Sequence, residues 1–178
     1  DDATQALNLA AELDDLNRER RSIEQSMKDD AMRALAHLQL DASKVPAGLC
    51  LYDPTWHQGV VGILASRIKE QFHRPVIAFA EADNGEIKGS ARSIPGLHMR
   101  DTLDRVAKRH PQMLSKFGGH AMAAGLSLAE KDFDAFRDAF VDAVREQLSD
   151  DQLEAVIARA VAAFPVLAGA PVVARWAG

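Results

Sequence analysis

Five consecutive apolar residues, Val76 to Ala80, lie between Arg74-Pro75 and Asn84-Gly85. A proline disfavours helical backbone at the residue before it, so any preceding helix must end there. Asn-Gly supplies two residues that tolerate positive φ, which is what a tight hairpin turn requires. A short continuous apolar run suits a strand buried on both faces. The segment after the turn, Ile87 to Ser93, then reads as its returning partner. A chain with this core must build a sheet and cover it from both sides.

The neighbouring segments supply that cover. Leu49 to Tyr52 reads as a short strand after Pro46 and Gly48. Gly59 to Phe72 reads as a helix, with Val60, Leu64, Ile68 and Phe72 at four-residue spacing. Met99 to Arg109 is a short helix closed by Pro111, and Ala123 to Leu128 is a strand. Lys131 to Leu148 is an amphipathic helix with Phe133, Phe136, Phe140, Val144 and Leu148 on one face. Strand, helix, hairpin, helix, strand, helix predicts a small α/β domain with a mixed sheet.

Residues 1–40 contain neither Gly nor Pro, and Leu9, Leu16 and Ile23 recur every seven residues, with Leu13, Met27 and Leu38 filling the same stripe. This is either one long helix or a two-helix hairpin broken near Asp14-Asp15. A long helix cannot bury its stripe against itself, so it must pack on another domain or partner, or act as a spacer. The expected organisation is a helical segment at 1–45, an α/β domain at 46–148, and a tail at 149–178 rich in Ala, Val and Pro. The chain starts at Asp1, inside what reads as helix, as a fragment would. It has no positively charged leader, no apolar run long enough to span a bilayer, and a single cysteine, Cys50, which excludes an intrachain disulfide and a thiolate zinc cluster. A cytoplasmic setting is the expectation.

The formal net charge of −5 argues against an anionic ligand, but its distribution does not. Residues 56–125 hold ten Lys or Arg against six Asp or Glu, while the remainder holds eleven against twenty. Five of the six histidines also lie in that basic middle. Local rather than total charge steers an anion.

Three places there could carry chemistry. Trp56-His57-Gln58-Gly59-Val60-Val61-Gly62 opens a helix, where free N–H groups and the dipole favour anions and the two glycines let a phosphate approach the backbone. His57 could donate to a phosphate, whereas Trp56 more readily fills core. On the strand Lys88-Gly89-Ser90-Ala91-Arg92-Ser93, alternate residues share a face. Lys88, Ser90 and Arg92 therefore line one side with two cations and a hydroxyl, and Ile87, Gly89 and Ala91 pack on the other. Arginine grips phosphate through paired hydrogen bonds and lysine adds a point charge. Finally, Phe117-Gly118-Gly119-His120 reads as a tight exposed turn, able to form an anion-binding nest with His120 as a switchable donor. No cluster at metal-ligand spacing and no nucleophile-base pair stands out, and Cys50 reads as core.

Taken in order, Trp56 to Arg74, Pro75-Val76-Ile77-Ala78-Phe79, Gly89-Ser90-Ala91-Arg92-Ser93 and Phe117 to Gly125 resemble the DHH-associated domain of the RecJ family, within the DHH phosphoesterase superfamily. The helical stretch ending near Leu38 resembles that family's connecting helix. The resemblance implies 5′-to-3′ exonuclease action on single-stranded DNA in repair and recombination. It implies a groove between a DHH domain, which holds manganese or magnesium through Asp and His, and an associated domain that grips the strand. It assigns Gly89 to Ser93 to phosphate gripping, with Ser90 and Arg92 foremost. Gly118, Gly119 and His120 match the loop facing the metal centre, His120 steadying the scissile phosphate, and His57 matches a groove residue.

The chain contains no Asp-His-His run and none of the family's metal-binding Asp motifs. The expectation is therefore a substrate-binding part with no bound metal of its own, inactive until joined to the missing DHH domain. After Gln152 to Val156 the family continues into an oligonucleotide-binding barrel whose alternating strands Ala160 to Gly178 lacks, as a truncation or altered reading frame would produce. Two other readings stay open: a DHH-superfamily module acting on short oligonucleotides, cyclic dinucleotides or tRNA-linked esters, and a non-catalytic interaction domain docking through residues 1–40.

Overall fold

The computed structural model describes residues 2–37, 46–149 and 152. The element order is α1 (Asp2–His37), β1 (Leu49–Tyr52), α2 (Gln58–Phe72), β2 (Val76–Glu81), β3 (Glu86–Arg92), α3 (Met99–Arg109), β4 (Lys116–Gly119), β5 (Ala123–Ala129) and α4 (Phe133–Arg145). The five strands form one sheet in the order β1-β2-β3-β5-β4, parallel between β1 and β2 and antiparallel elsewhere. The mixed sheet expected from the sequence is present.

β2 lies between two paired neighbours, and every residue from Val76 to Ala80 is buried, which is why its apolar run does not alternate. The hairpin that follows is a type I′ turn. Asn84 (φ 61) and Gly85 (φ 72) take the left-handed region, and the Glu86 N–H donates to the Asp83 carbonyl.

Alternation along the strands sorts their side chains into two cores. On one face Leu49, Leu51, Val76, Ala78 and Ala80 pack under Val60, Val61, Leu64 and Ile68 of α2. On the other, Ile77, Phe79, Ile87, Ala91, Leu126 and Leu128 pack under Leu103 and Val106 of α3 and Phe136, Phe140 and Val144 of α4. Phe79 meets the rings of Phe133 and Phe136 edge-on, with centroids 5.6 and 5.8 Å apart, an arrangement that adds to plain area burial. Cys50 belongs to this second core, where burial pushes its thiol far up, so it does not serve as a nucleophile.

α3 has the bounds expected from its pattern. α4 is shorter at both ends than Lys131–Leu148, because Glu130–Asp132 forms a 3-10 turn and the chain leaves the helix after Arg145. α3 and α4 are joined by Arg109, whose guanidinium donates to both Glu146 carboxylate oxygens at 2.7 Å.

α1 is one continuous helix with no break at Asp14-Asp15. Its stripe is not uniformly covered. Leu9, Leu13 and Leu16 are each more than half exposed, whereas Met27 packs onto the α2 core and sits over Gly59. Leu38 and nearly all of the tail lie outside the described residues.

α2 ends on His73, a non-glycine residue in the left-handed region (φ 50, ψ 42), with its N–H donating to the Lys69 carbonyl. Burial, with the nearby Arg74 and Lys69 charges, holds its imidazole below the ordinary histidine range. A lowered folded-state value means that the folded protein resists protonation. The destabilisation is absent above the ordinary imidazole pKa and grows as pH falls through it toward the lowered one. His73→Gly removes both that acid dependence and the steric cost of the left-handed backbone. It is expected to raise stability at neutral pH by about 1 kcal/mol, with a larger gain at pH 5 than at pH 7.5 in urea unfolding curves.

Candidate functional site

β3 carries the alternation read from the sequence. Ile87, Gly89 and Ala91 are buried, Lys88 is exposed, and Ser90 and Arg92 are half-buried on the opposite face. That opposite face is the one α2 packs on, yet α2 covers only the β1-β2-β3 side of the sheet. Beyond it β5 and β4 present a bare surface. The register aligns Lys88 with Ser127 and Lys116, and Ser90 with Gly125 and Gly118. Arg92 aligns with Ala123, whose carbonyl accepts the His120 N–H at 2.8 Å. The result is a shallow trough. Its floor is Ser90, Gly125, Gly118 and Ala123, its wall is α2, and cationic or titratable side chains stand at both ends.

Arg92 is held against that wall. Its Nε donates to Ser66 Oγ at 3.1 Å, and its Nη1 donates to Ser90 Oγ at 3.1 Å and to the Ala91 carbonyl at 2.9 Å. Ser66 in turn donates to the Gly62 carbonyl. Gly62 leaves the room for this: a Cβ there would sit 3.1 Å from Arg92 Nη2 and 3.2 Å from Ser90 Oγ. A guanidinium fixed by three hydrogen bonds has lost most of its rotamer freedom before any ligand arrives, which lowers the entropic cost of gripping one.

The glycines divide by what surrounds them. A Cβ on Gly89 would fall 2.6 Å from the Phe79 ring, so this glycine serves the apolar core. A Cβ on Gly118 would meet nothing within 4 Å, and one on Gly125 only the Gly89 carbonyl at 4.0 Å. Neither has positive φ. Glycine weakens a strand unless close approach of another backbone or a ligand requires it, and nothing among the described residues approaches these two.

Several expected site residues are placed differently. Gly118 and Gly119 do not form the expected turn; they end the edge strand β4. The turn is Ala121-Met122, closed by the His120 N–H to the Ala123 carbonyl. Its own carbonyls accept from Met99 and Ser93 N–H at 2.8 and 2.9 Å, so it is tied to the start of α3 and the end of β3. That anchoring positions His120, which remains exposed. Gly119 has φ 151, and a Cβ there would lie 2.4 Å from the Ala123 carbonyl oxygen.

Ser93 is buried to 1% exposure, and its hydroxyl donates to the Leu97 carbonyl at 2.8 Å. It braces the 94–97 loop and cannot reach the trough. Gly89 faces away for the reason given, and its backbone is engaged on both sides by β2 and β5.

His57 caps α2: its Nδ1 accepts the Gly59 N–H at 3.1 Å, which leaves Nε2 as the free ring nitrogen. With Met27 over Gly59, this helix start is already filled rather than open to an anion. His57 and Trp56 line a separate cleft with Glu81 and Asp83, and Trp56 also packs on the α2 core. The structure therefore does not bring His57 to Arg92. Sequence reasoning missed Lys116 and Ser127, which reach the trough only through strand pairing. It also missed Ser66, four residues after Gly62 on α2; Gly62, expected to admit a phosphate at the helix start, instead makes room for Arg92 and Ser90.

Among the described residues no group of three or more His, Cys, Asp or Glu is placed to hold a metal ion. The trough's donors are cations, hydroxyls and one imidazole, a set that suits an anion and not a divalent cation. No helix among the described residues is long and apolar enough to cross a membrane.

The comparisons with known proteins bear on the family and the fold. The DHHA1 domain model matches residues 42–146. The single-stranded-DNA-specific exonuclease RecJ of Dickeya dadantii is 57% identical over 156 residues, covering 88% of this chain and 27% of that protein. RecJ of Escherichia coli is 54% identical over 154 residues, covering 86% of this chain and again 27% of the relative. The chain thus spans about a quarter of the length of these curated relatives. Among solved structures, exonuclease RecJ bound to manganese superposes with a TM-score of 0.55 at 30% identity, covering 69% of this chain and 29% of that one. The sheet, the helices on its two faces and the sequence match lead to one assignment: the chain belongs to the DHHA1 domain family, in the form found in RecJ exonucleases.

Proposed function

We propose that this chain is the strand-gripping part of a RecJ-type, 5′-to-3′ single-strand-specific DNA exonuclease acting in repair and recombination in the cytoplasm. The trough holds the DNA backbone, and a DHH domain in the same parent protein supplies manganese or magnesium and the hydrolytic chemistry. The observation that carries this reading is the pairing of a pre-positioned Arg92 with a glycine floor that nothing inside the domain explains. Arg92, Ser90, Lys88 and His120 contact phosphates. Gly118 lets the backbone come close, and Gly119 sets the chain direction into His120. None of these reads a base edge, which suits an enzyme that must process any sequence. The trough is shallow and open along the sheet, and so fits a flexible single strand better than a stiff duplex.

The test is a titration of fluorescent single-stranded and duplex DNA of equal length with the full chain at several salt concentrations. Single strands are expected to bind at least about tenfold more tightly. Their affinity should fall with salt at a logarithmic slope of about −0.7 per phosphate neutralised. Equal affinity for both forms, or affinity independent of salt, overturns the reading.

A further inference from the structure

Lys88 and Lys116 are 28 positions apart in sequence, yet both are aligned with Ser127 from opposite sides. They face the same way, two strand spacings or roughly 10 Å apart at the backbone. Both are exposed, and neither makes an ion pair among the described residues. Lys69, Arg100, Lys131 and Arg145 likewise make no ion pair among the described residues, so what sets Lys88 and Lys116 apart is their placement on either side of one serine, Ser127. Two flexible ammonium groups over a serine, with no carboxylate bound to either, leave a gap wide enough for a phosphate between them. Glu86, the next residue of β3 on the same face, bounds the cationic strip at that end.

The two lysines stand four residues along the strands from the Arg92–Ala123–His120 row, roughly 13 Å, with the Ser90–Gly125–Gly118 row midway. Strand residues two apart are spaced about as successive phosphates are in an extended single strand, so the three rows correspond to about three consecutive phosphates.

We propose that Lys88 and Lys116 together form a distal phosphate-binding position, two internucleotide steps from the Arg92–His120 end, with Lys116 as a strand-binding residue of the edge strand. The proposal rests on the reading of the trough as a single-strand site and adds its length. A ligand with two phosphates fills the Arg92–His120 end and the glycine row without reaching the lysines; a ligand with three or more reaches them. The lysines thus favour longer strands and contribute little to holding the shortest fragments.

The experiment measures binding of 5′-phosphorylated hexathymidylate and dithymidylate to the full chain, the latter by chemical-shift titration of the His120 ring. Lys116→Gln is expected to weaken the hexamer about five- to tenfold and to reduce its salt slope by about 0.7, leaving the dimer unchanged within about twofold. Lys88→Gln should behave alike, and the double variant should lose less than the product of the two, because the lysines share one phosphate. Lys131→Gln, on the exposed turn before α4, should change neither ligand. Both lysines are exposed and unpaired, so thermal melts of the variants should match the parent. Equal weakening of both ligands, or the same weakening by Lys131→Gln, overturns the proposal in favour of unspecific attraction. An unchanged hexamer in Lys116→Gln, with binding lost in Arg92→Ala, overturns the distal position alone. Unchanged binding in both overturns the single-strand reading as well.

Discussion

Arg92→Ala is expected to weaken single-strand binding by roughly 10- to 100-fold while leaving the domain folded. A charge-assisted hydrogen bond to phosphate contributes about 1.5–3 kcal/mol, and each 1.4 kcal/mol is about a factor of ten. Arg92 makes its present bonds to Ser66, Ser90 and the Ala91 carbonyl at the partly buried rim of the trough, where water can replace it. Ser66 keeps its bond to the Gly62 carbonyl without it. The cost to unfolding free energy should therefore stay near 1 kcal/mol. Arg92→Lys separates charge from geometry. Lysine restores the point charge but cannot donate to Ser66 and a phosphate through one planar group, so it should recover only part of the affinity. Full recovery by lysine would show that the hydrogen-bonded brace on α2 does not matter. Comparing binding isotherms with urea unfolding curves of the same preparations checks both halves of the prediction.

Gly125→Val should separate stability from binding in the opposite sense. In the interior of a sheet a glycine is less stable than a β-branched residue by up to about 1 kcal/mol. The new side chain would stand on the trough floor with only the Gly89 carbonyl nearby. Thermal stability is expected to hold or rise. Single-strand binding is expected to fall at least about tenfold, because the isopropyl group occupies the space a strand's backbone would take. Gly118→Val, aligned with it on the edge strand, should do the same, and the pair together should abolish measurable binding. Core substitutions lose binding by unfolding; these would lose it in a protein at least as stable as the parent. Retained binding in the double variant would remove the glycine floor from the site.

Elements written in local pattern were legible before the fold was known. Met99–Arg109 could be bounded because polar and apolar positions alternate at helical spacing up to Pro111. The β2-β3 hairpin was legible because Asn84-Gly85 can adopt two positive φ values at little cost. The facing of Lys88, Ser90 and Arg92 followed from strand geometry alone. β4 was not legible. Lys116-Phe117-Gly118-Gly119 has poor intrinsic strand preference, and it is extended only because β5 offers a free edge to pair with. Ser93 was misassigned because a serine beside Arg92 looks like a phosphate ligand until the 94–97 loop folds over it.

By itself, the sequence determined the α/β class, the order of the elements apart from β4, the basic middle and the family resemblance. The first two depend on residue periodicity and turn chemistry, which act over a few positions; the basic middle is composition, and the resemblance rests on the order of the motifs. Only the tertiary structure decided which small residues pack and which stay bare. Gly89 lies against Phe79, whereas Gly118 and Gly125 face open space, although all three are glycines in strands. It also decided that Lys116 joins Lys88, Ser90 and Arg92 on one surface. The physical reason is that strand pairing is nonlocal. Inserting β5 between β3 and β4 sets the register from contacts far apart in the chain, and that register assembles the trough.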